Sequence, residues 1–459
     1  MQSDDPVAEW DFSREPDPLI SLDGRSRLQD APGSRVTRVT DEVVGRALSF
    51  DGAADHLIIP ASDVGVLNVA AGGDQVSVFA LIRRRRGGTG FIAGMWQEDD
   101  DDPRRQYGLF IDLPTYGGAE QVIGHVSGTG GPSAGLPYSR DYSATARMIG
   151  YDQWRVIGFT YDGAAIRSFL DGVTDARPSF TERGSPLGEG LTYAKNPFHY
   201  PAGLNRRSVS DFTVGAVRLT AGHGNFFGGE IARLAVWNTA LSPAEAMSLA
   251  REWTPKEMPL ARFDFFRPKA PVRSADGGWN DPAWPLEVVG WRQSLLTSAD
   301  SSLEGASFVV RAQPSPPHVV RAGGPPHPPA LIFVEHLDGV LWGELTCVHY
   351  TVGDGYGPRT ERCRAVARIE GKWHTTKRDL PRNGEPWVVL PQREEWIALN
   401  QVLPDNRPQA MTSDVGSGPP PESALSALGL ATWGDGRSVE LAGVSVFVRP
   451  PSARTATVR

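Results

Sequence analysis

The sequence predicts an all-β chain built as two β-sandwich domains in tandem. Three observations carry this. Apolar and polar residues alternate with period two along most of the chain, helical periodicity is convincing only once, and a Pro-rich stretch past the middle separates two similar halves. At 459 residues the chain exceeds what one ordinary core holds. Hydrophobic residues at 40% and charged residues at 22% fit a globular rather than a disordered protein.

Taken in order, VSVFALIR (76–83), QYGLFID (106–112), QWRVIGFTYDG (153–163), AIRSFLDG (165–172) and DFTVGAV (211–217) read as strands, each bounded by Gly, Pro, Asp or Asn. Within them, YDGAAIRSFLDG reads as two strands joined by a tight Asp-Gly turn. The helical exception is LSPAEAMSLAREW (241–253): Ser242 can cap it, Pro243 suits the first helical position and Glu245 completes a capping box. The Pro-rich TPKEMPLARFDFFRPKAP (254–271) then reads as a linker, which gives domains over 1–255 and 272–459 with 256–271 between them.

In the second half, SFVVRA, LIFVEHL, LWGELTCVHYTV, CRAVARIE, PWVVL and VSVFVR supply enough strands for another sandwich. PSPPHVVRAGGPPHPP (314–329) and GSGPPPES (416–423) read as exposed loops or edges, because Pro cannot donate to a sheet ladder. An internal echo supports two successive jelly rolls. AEWDFSREPDP (8–18) resembles ARFDFFRPKAP (261–271), and GGEIARLAVWN (228–238) resembles VELAGVSVFVRP (439–450). Each half then opens and closes on a similar strand.

The net charge of −8 argues against a nucleic-acid partner, which calls for a basic face. Arg83–Arg86 is the one basic cluster and reads, with the acids Glu98–Asp102, as solvated ends of neighbouring strands. No apolar run approaches the length that crosses a bilayer, so no membrane partner is expected. MQSDDPVAEWDF has neither a basic nor an apolar leader region, which fits a cytoplasmic protein or an exported one whose signal has been removed. Two Cys rule out a disulfide scaffold and a Cys-based zinc cluster. Cys347 and Cys363 flank the turn signal GDGYG; in a symmetric hairpin they face each other, as a disulfide or as two free thiols.

Three segments of the first half carry a family resemblance. SFDGAADHLIIP (49–60), FTYDGAAIRSFLDG (159–172) and FFGGEIARLAVWNTALSPAEAMSLA (226–250) occur in the order seen in laminin-G-like, concanavalin A-like lectin/glucanase jelly rolls. The resemblance spans about 200 residues and implies a concanavalin A-like first domain. The three segments are framework motifs. That fold serves glycan binding, protein adhesion and glycan cleavage alike, so it leaves function open. The retaining glucanases' E-x-D-x-x-E run is missing, as is the alginate-lyase-like Gln-Ile-His strand; QVIGHVS places Gln121 and His125 four apart instead.

Two long loops hold the candidate site. GHVSGTGGPSAGLPYSRDYS (124–143) is longer than a simple connection needs and combines His125, Tyr138, Arg140, Asp141 and Tyr142. Aromatic faces stack on sugar rings and Arg clamps a carboxylate or sulfate. His125, Tyr138 and Arg140 would also suit β-elimination on a uronate, with Arg neutralising the acid and Tyr or His moving protons. The alternative is a packed surface loop whose Tyr hydroxyls cap backbone groups. LTYAKNPFHYPAGLNRRS (191–208) has the same character and offers Tyr193, His199, Tyr200, Asn205 and Arg206. A polar-aromatic cleft forms if the two loops meet on one rim. His349, Tyr350, Trp373 and His374 are weaker candidates for an interdomain surface, against an ordinary core or hairpin role.

No cofactor is required. The related folds often carry a structural calcium ion, and Glu98–Asp102, Asp51 and Asp55 supply oxygens, but without decisive ligand spacing; solvated turns and framework use are the competing readings. The leading expectation is recognition of a glycan or polysaccharide by the two loops. The alternatives are a polysaccharide-degrading enzyme, lyase or glycoside hydrolase, using the same loops, and an adhesion module that binds protein.

Overall fold

A computed structural model describes residues 5–255 apart from 114–117, 135–138, 175–179 and 182–191. In the second half it describes 261–264, 283–284, 292–295, 309–311, 319–322, 330–335, 337, 340–352, 362–377, 387–389, 391, 396–398, 419–433 and 439–448. The described chain is all-β but for one α-helix, Pro243–Trp253, and short 3-10 turns. It forms two compact units, one chiefly Met1–Ser242 and the other chiefly Ser274–Arg459; the helix residues Pro243–Glu252 go with the second.

Two antiparallel sheets make the sandwich of the first unit, beside a small two-stranded and a small three-stranded sheet. One runs in the order Phe198–His199, Ala165–Leu170, Trp154–Tyr161, Val76–Arg84, Gly228–Trp237, Gly45–Asp51 and Thr37–Asp41, with Ala8–Asp11 also paired to Gly228–Trp237. The other runs Tyr142–Met148, Gly118–Val126, Tyr107–Leu113, Gly90–Met95, Phe212–Val214, Leu57–Ile59 and Gln29–Asp30. Alternation decides what faces the core. Tyr107, Leu109 and Ile111 join the main core with Trp10, Phe159 and Phe212, while Phe110 joins a smaller cluster of Phe91, Trp96, Ile123, Tyr142 and Val217. Tyr107–Leu113 reads as nearly continuously apolar because both its faces are covered.

The Asp-Gly turn after Tyr161 forms as its chemistry requires. Asp162 Oδ1 accepts from the N–H groups of Ala164 (3.0 Å) and Ala165 (2.8 Å), and Gly163 takes φ +91°. The second Asp-Gly pair serves a different purpose. Asp171, itself at φ +55°, is buried and accepts two bonds from Arg155 Nε, at 3.0 and 3.1 Å. DFTVGAV is two strands rather than one, because Gly215 at φ +90° breaks the ladder between Phe212–Val214 and Val217–Leu219.

The basic tetrad departs from expectation in part: Arg83, Arg84 and Arg85 pair within the fold with acids other than Glu98–Asp102, while Arg85 and Arg86, beyond the strand end, stay exposed. Arg83 bonds Asp41 (2.6 Å) and Glu230 (3.1 Å), and Arg85 bonds Glu230 (2.9 Å) and Asp152 (3.0 Å). Arg84 points to the opposite side of its strand, is fully buried and bonds Asp112 at 2.6 Å beneath the Tyr151 ring. The Arg84 guanidinium can be buried because it has a fixed carboxylate.

The described residues of the second unit form two sheets. One contains Ala283–Trp284, Val309–Arg311, Val319–Ala322, Val439–Val448, Leu345–Val352 and Trp387–Val389, with Ala261–Asp264 on Val439–Val448. The other contains Arg292–Leu295, Ala330–Glu335, Leu425–Trp433, Arg362–Ile369, Lys372–Thr376 and Trp396–Ala398. The internal echo has a structural meaning: in each half the opening strand pairs with the closing one. Ala8 lies opposite Val236 and Asp11 opposite Arg233; Ala261 lies opposite Val446 and Asp264 opposite Gly443. Thus the expected linker contains a strand, Ala261–Asp264, while its remaining residues lie outside the described ones.

Two expectations for this unit are corrected. Cys347 and Cys363 do not face each other across a hairpin, because Leu345–Val352 and Arg362–Ile369 belong to different sheets. Cys347 lies opposite Phe447 and carries a free thiol; Cys363 lies opposite Thr432. Val319–Ala322 is no edge, since it pairs on both sides despite its Pro-rich flanks. Tyr350 is buried and donates to the Gly429 carbonyl (3.0 Å), and His349 packs on Phe447 at 4.7 Å, both as sheet residues. Trp373 and His374 are half-buried on Lys372–Thr376.

Candidate functional site

The two long loops of the first unit do meet. The Gly128 N–H donates to the Tyr200 hydroxyl at 2.8 Å, and the Asn205 N–H donates to the Ser127 carbonyl at 2.7 Å. Asn205 is buried and further anchored, its Nδ2 donating to the Arg105 carbonyl (3.1 Å) and its own carbonyl accepting from Gln106 Nε2 (2.9 Å). Residue 128 has to be glycine for this junction: a Cβ there would stand 2.4 Å from the Ala202 carbonyl oxygen. Tyr161 completes the corner, its hydroxyl donating to the Tyr200 carbonyl (2.8 Å) and accepting from the Gly203 N–H (3.0 Å). Burial pushes the Tyr161 phenol up to about 12 and raises that of Tyr200, so both stay protonated as fixed parts of the frame.

At this junction lies an open cavity of about 330 Å³, walled by Asp74, Gly128, Gly163, Gly203, Arg206 and Arg207 among others. Asp74 Oδ1 accepts from the Leu204 N–H (3.2 Å) and Oδ2 from Arg206 Nη2 (2.8 Å). The Arg206–Asp74 pair is exposed, with the two side chains 58% and 43% accessible, so both retain bonding capacity toward a ligand. A carboxylate and guanidinium groups over a glycine-lined floor can hydrogen-bond a polyhydroxylated molecule while leaving room for its ring.

Other expected site residues lie elsewhere, and this corrects the picture of one exposed recognition loop. His125 and Tyr142 belong to paired strands, opposite each other, and both are buried. The His125 ring packs on Trp96 (4.4 Å), Tyr142 (5.3 Å) and Phe110 (5.8 Å). Neither of its ring nitrogens has a hydrogen-bond partner. Desolvation, then the positive charges of Arg105 and Lys195, hold His125 well below its usual 6.5, so the ring is neutral. Lys195, itself buried, sets its Nζ 3.5 Å above the Tyr142 ring and 3.5 Å from the Arg140 carbonyl. Arg140 is half-buried and its N–H donates to Ser133 Oγ (2.9 Å), while Asp141 accepts a bond from the same hydroxyl. His199 is exposed on an edge strand opposite Ala165. Tyr138 and the Tyr193 side chain lie outside the described residues; the Tyr193 backbone pairs with Phe180.

Of the expected residues, then, Arg206 lines the cavity and Tyr200 braces its Gly128 wall, while His125 and Tyr142 come together in a separate aromatic cluster. Sequence reading missed Asp74 and Arg207 at the cavity, and Trp96, Arg105 and Lys195 around His125. Asp74 sits in the turn signal GGDQ and Lys195 within the second loop, so position gave some hint of each; their convergence had none.

Of the acids considered as calcium donors, Glu98, Asp99, Asp102, Asp51 and Asp55 accept bonds within the fold. Glu98 accepts from Trp96 Nε1 (2.7 Å), Asp99 from the Asp101 N–H (3.1 Å) and Asp102 from Arg104. Asp51 Oδ1 accepts from three successive N–H groups, Ala53 to Asp55, and Asp55 accepts from the Arg35 N–H (2.9 Å). Among the described residues no group of three or more His, Cys, Asp or Glu is placed to hold a metal ion. None of the described helices is long and apolar enough to cross a membrane.

No family model matches the chain, and no curated relative matches it. Solved structures with partial likeness include domain 4 of AbnA, a GH43 extracellular arabinanase from Geobacillus stearothermophilus in complex with arabinotriose, at 15% identity and TM-score 0.36, covering 53% of this chain and 97% of that one. The Trypanosoma rangeli sialidase in complex with 2,3-difluorosialic acid is similar at 15% identity and TM-score 0.34, over 53% of this chain but only 32% of its own. The CBM40 of Ruminococcus gnavus IT-sialidase, bound to α2,3-sialyllactose, is similar at 13% identity and TM-score 0.30, over 47% and 96%. With TM-scores this low, the β-sandwich assignment rests on the sheets themselves.

Proposed function

We propose that the first unit recognises a carbohydrate at the rim where the 124–143 and 191–208 loops meet. The observation that supports this is their convergence on an open, polar cavity of about 330 Å³ that has a fixed floor and an exposed Asp74–Arg206 pair at its wall. Hydroxyl-rich ligands suit such a wall, because a carboxylate accepts and a guanidinium donates to neighbouring hydroxyls. Binding is favoured over catalysis by the burial of His125, which packs as an aromatic ring away from the cavity-lining residues.

The test is affinity electrophoresis of the full chain through gels containing acidic or neutral polysaccharides, with polymer chain length followed in parallel. The reading expects retardation by at least one polymer without shortening, and loss of retardation in Asp74→Ala and Arg206→Ala. A polymer that shortens would make this an enzyme. Retardation that survives both substitutions would remove the site from this rim.

A further inference from the structure

His56 and His223 present an arrangement that carbohydrate binding does not use. His56 leads into the strand Leu57–Ile59, and His223 lies in the short strand Gly222–Gly224. Their rings lie tilted against each other, with centroids 4.2 Å apart and an interplanar angle of 40°. His56 is only 4% exposed and is held from several sides. Its N–H donates to Ser34 Oγ (2.9 Å), its carbonyl accepts from the Ala31 N–H (3.3 Å), and Phe226 packs edge-on at 5.9 Å.

The tautomer of His56 follows from its bonding. Nδ1 lies 2.9 Å from the Ala54 carbonyl oxygen, and a carbonyl only accepts, so Nδ1 carries the proton. In the neutral ring Nε2 then presents its lone pair, and this atom is buried and without a partner. The Nε2 of His223 is also buried and without a partner. Buried polar atoms are ordinarily satisfied, so two unpartnered ring nitrogens on neighbouring imidazoles point to a ligand.

We infer that His56 and His223 form a two-imidazole site for a borderline divalent cation such as Zn²⁺. The fixed Nδ1–H···O=C bond of His56 is the outer support that metal-ligating imidazoles use to orient the ring and aim Nε2. Two nitrogens on one tetrahedral zinc, each about 2.0–2.1 Å from it, stand about 3.3 Å apart. Ring centroids 4.2 Å apart bring the two imidazoles within reach of one ion. Water would supply the remaining ligands, entering past the half-buried His223 ring. Imidazole donors select zinc, nickel or copper over the oxygen-seeking magnesium and calcium. The bound ion would clip the Asp51–His56 turn to the strand Gly222–Gly224.

The experiment is calorimetric titration of the full chain with ZnCl₂, with MgCl₂ as the contrasting ion, followed by ¹⁵N spectra of the histidine rings. His223→Phe is the variant, since it keeps a stacked ring at a half-buried position and removes the nitrogen. One zinc per chain, no magnesium binding, roughly tenfold or greater weakening in His223→Phe, and shifted Nε2 resonances for two histidines support the inference. Absence of zinc binding, or binding equally tight in His223→Phe, overturns it. The ring spectra of the unaltered protein decide the matter even if the variant does not fold: zinc that moves no Nε2 pair also overturns it.

Discussion

Gly128→Ala tests how the candidate site is held together. The added Cβ would lie 2.4 Å from the Ala202 carbonyl oxygen, 3.0 Å from the Ala202 carbonyl carbon and 3.1 Å from the Gly203 oxygen. All three are backbone atoms, so no side chain can swing aside, and ordinary contact requires the 200–203 segment to retreat by about 1 Å. Gly128 does not hold a positive φ, so steric overlap alone sets the cost. Overpacking of this kind costs about 1–3 kcal/mol. In a unit of this size that lowers the thermal midpoint by about 2–12 °C. The retreat also stretches the Gly128–Tyr200 bond and deforms the cavity floor, so polysaccharide retardation should fall with stability. Gly131→Ala is the control three residues on, where a Cβ meets only Thr129 Oγ1 at 3.8 Å; it should leave both properties unchanged. Calorimetry and affinity electrophoresis of the two variants give the answer. A Gly128→Ala protein as stable and as well retained as Gly131→Ala would refute the claim that the loops are locked together there.

Three further outcomes follow from the packing. Burial, reinforced by Arg105 and Lys195, keeps His125 neutral well below 6.5, so the unfolded state takes up a proton that the folded state refuses. Stability from this residue is therefore complete above about pH 6.5 and falls as pH drops, by up to about 1.4 kcal/mol per pH unit; His125→Phe should flatten that slope in urea titrations between pH 7 and 5, and parallel slopes would contradict the assignment. Asp171→Ala leaves the buried Arg155 guanidinium without its bidentate partner and should cost about 3–5 kcal/mol in urea denaturation, with a loss under about 1 kcal/mol counting against a buried pair. Because Cys347 and Cys363 sit in different sheets, both should alkylate on unfolding without reductant, and a mass showing a retained disulfide would refute this.

Much of the fold was legible because its signals are local. The period-two runs, the Asp162-Gly163 turn and the Pro243 helix start each depend on neighbours in sequence, and the echo between 8–18 and 261–271 marked the strand that opens each half and pairs with the closing one. What failed depends on distant partners. Arg83–Arg85 looks like part of a solvated charge run until Asp41, Asp112, Asp152 and Glu230 come within bonding distance. The Cys pair was centred on a turn signal, but a long connection between two sheets has the same sequence symmetry as a hairpin. The candidate site divides the same way. Loop length and composition located the 124–143 and 191–208 segments and Tyr200 and Arg206 within them. Nothing local marked Asp74, which reaches Leu204 and Arg206 across 130 and 132 positions, or revealed that His125 would turn into an aromatic cluster.

The most direct test of carbohydrate recognition at this rim is amide hydrogen–deuterium exchange of the full chain with and without an oligosaccharide from a polymer that retards it. Binding at the proposed site predicts slowed exchange concentrated at 127–130 and 202–208, with little change across the second unit. Protection confined to other segments, with these two unaffected, would contradict it.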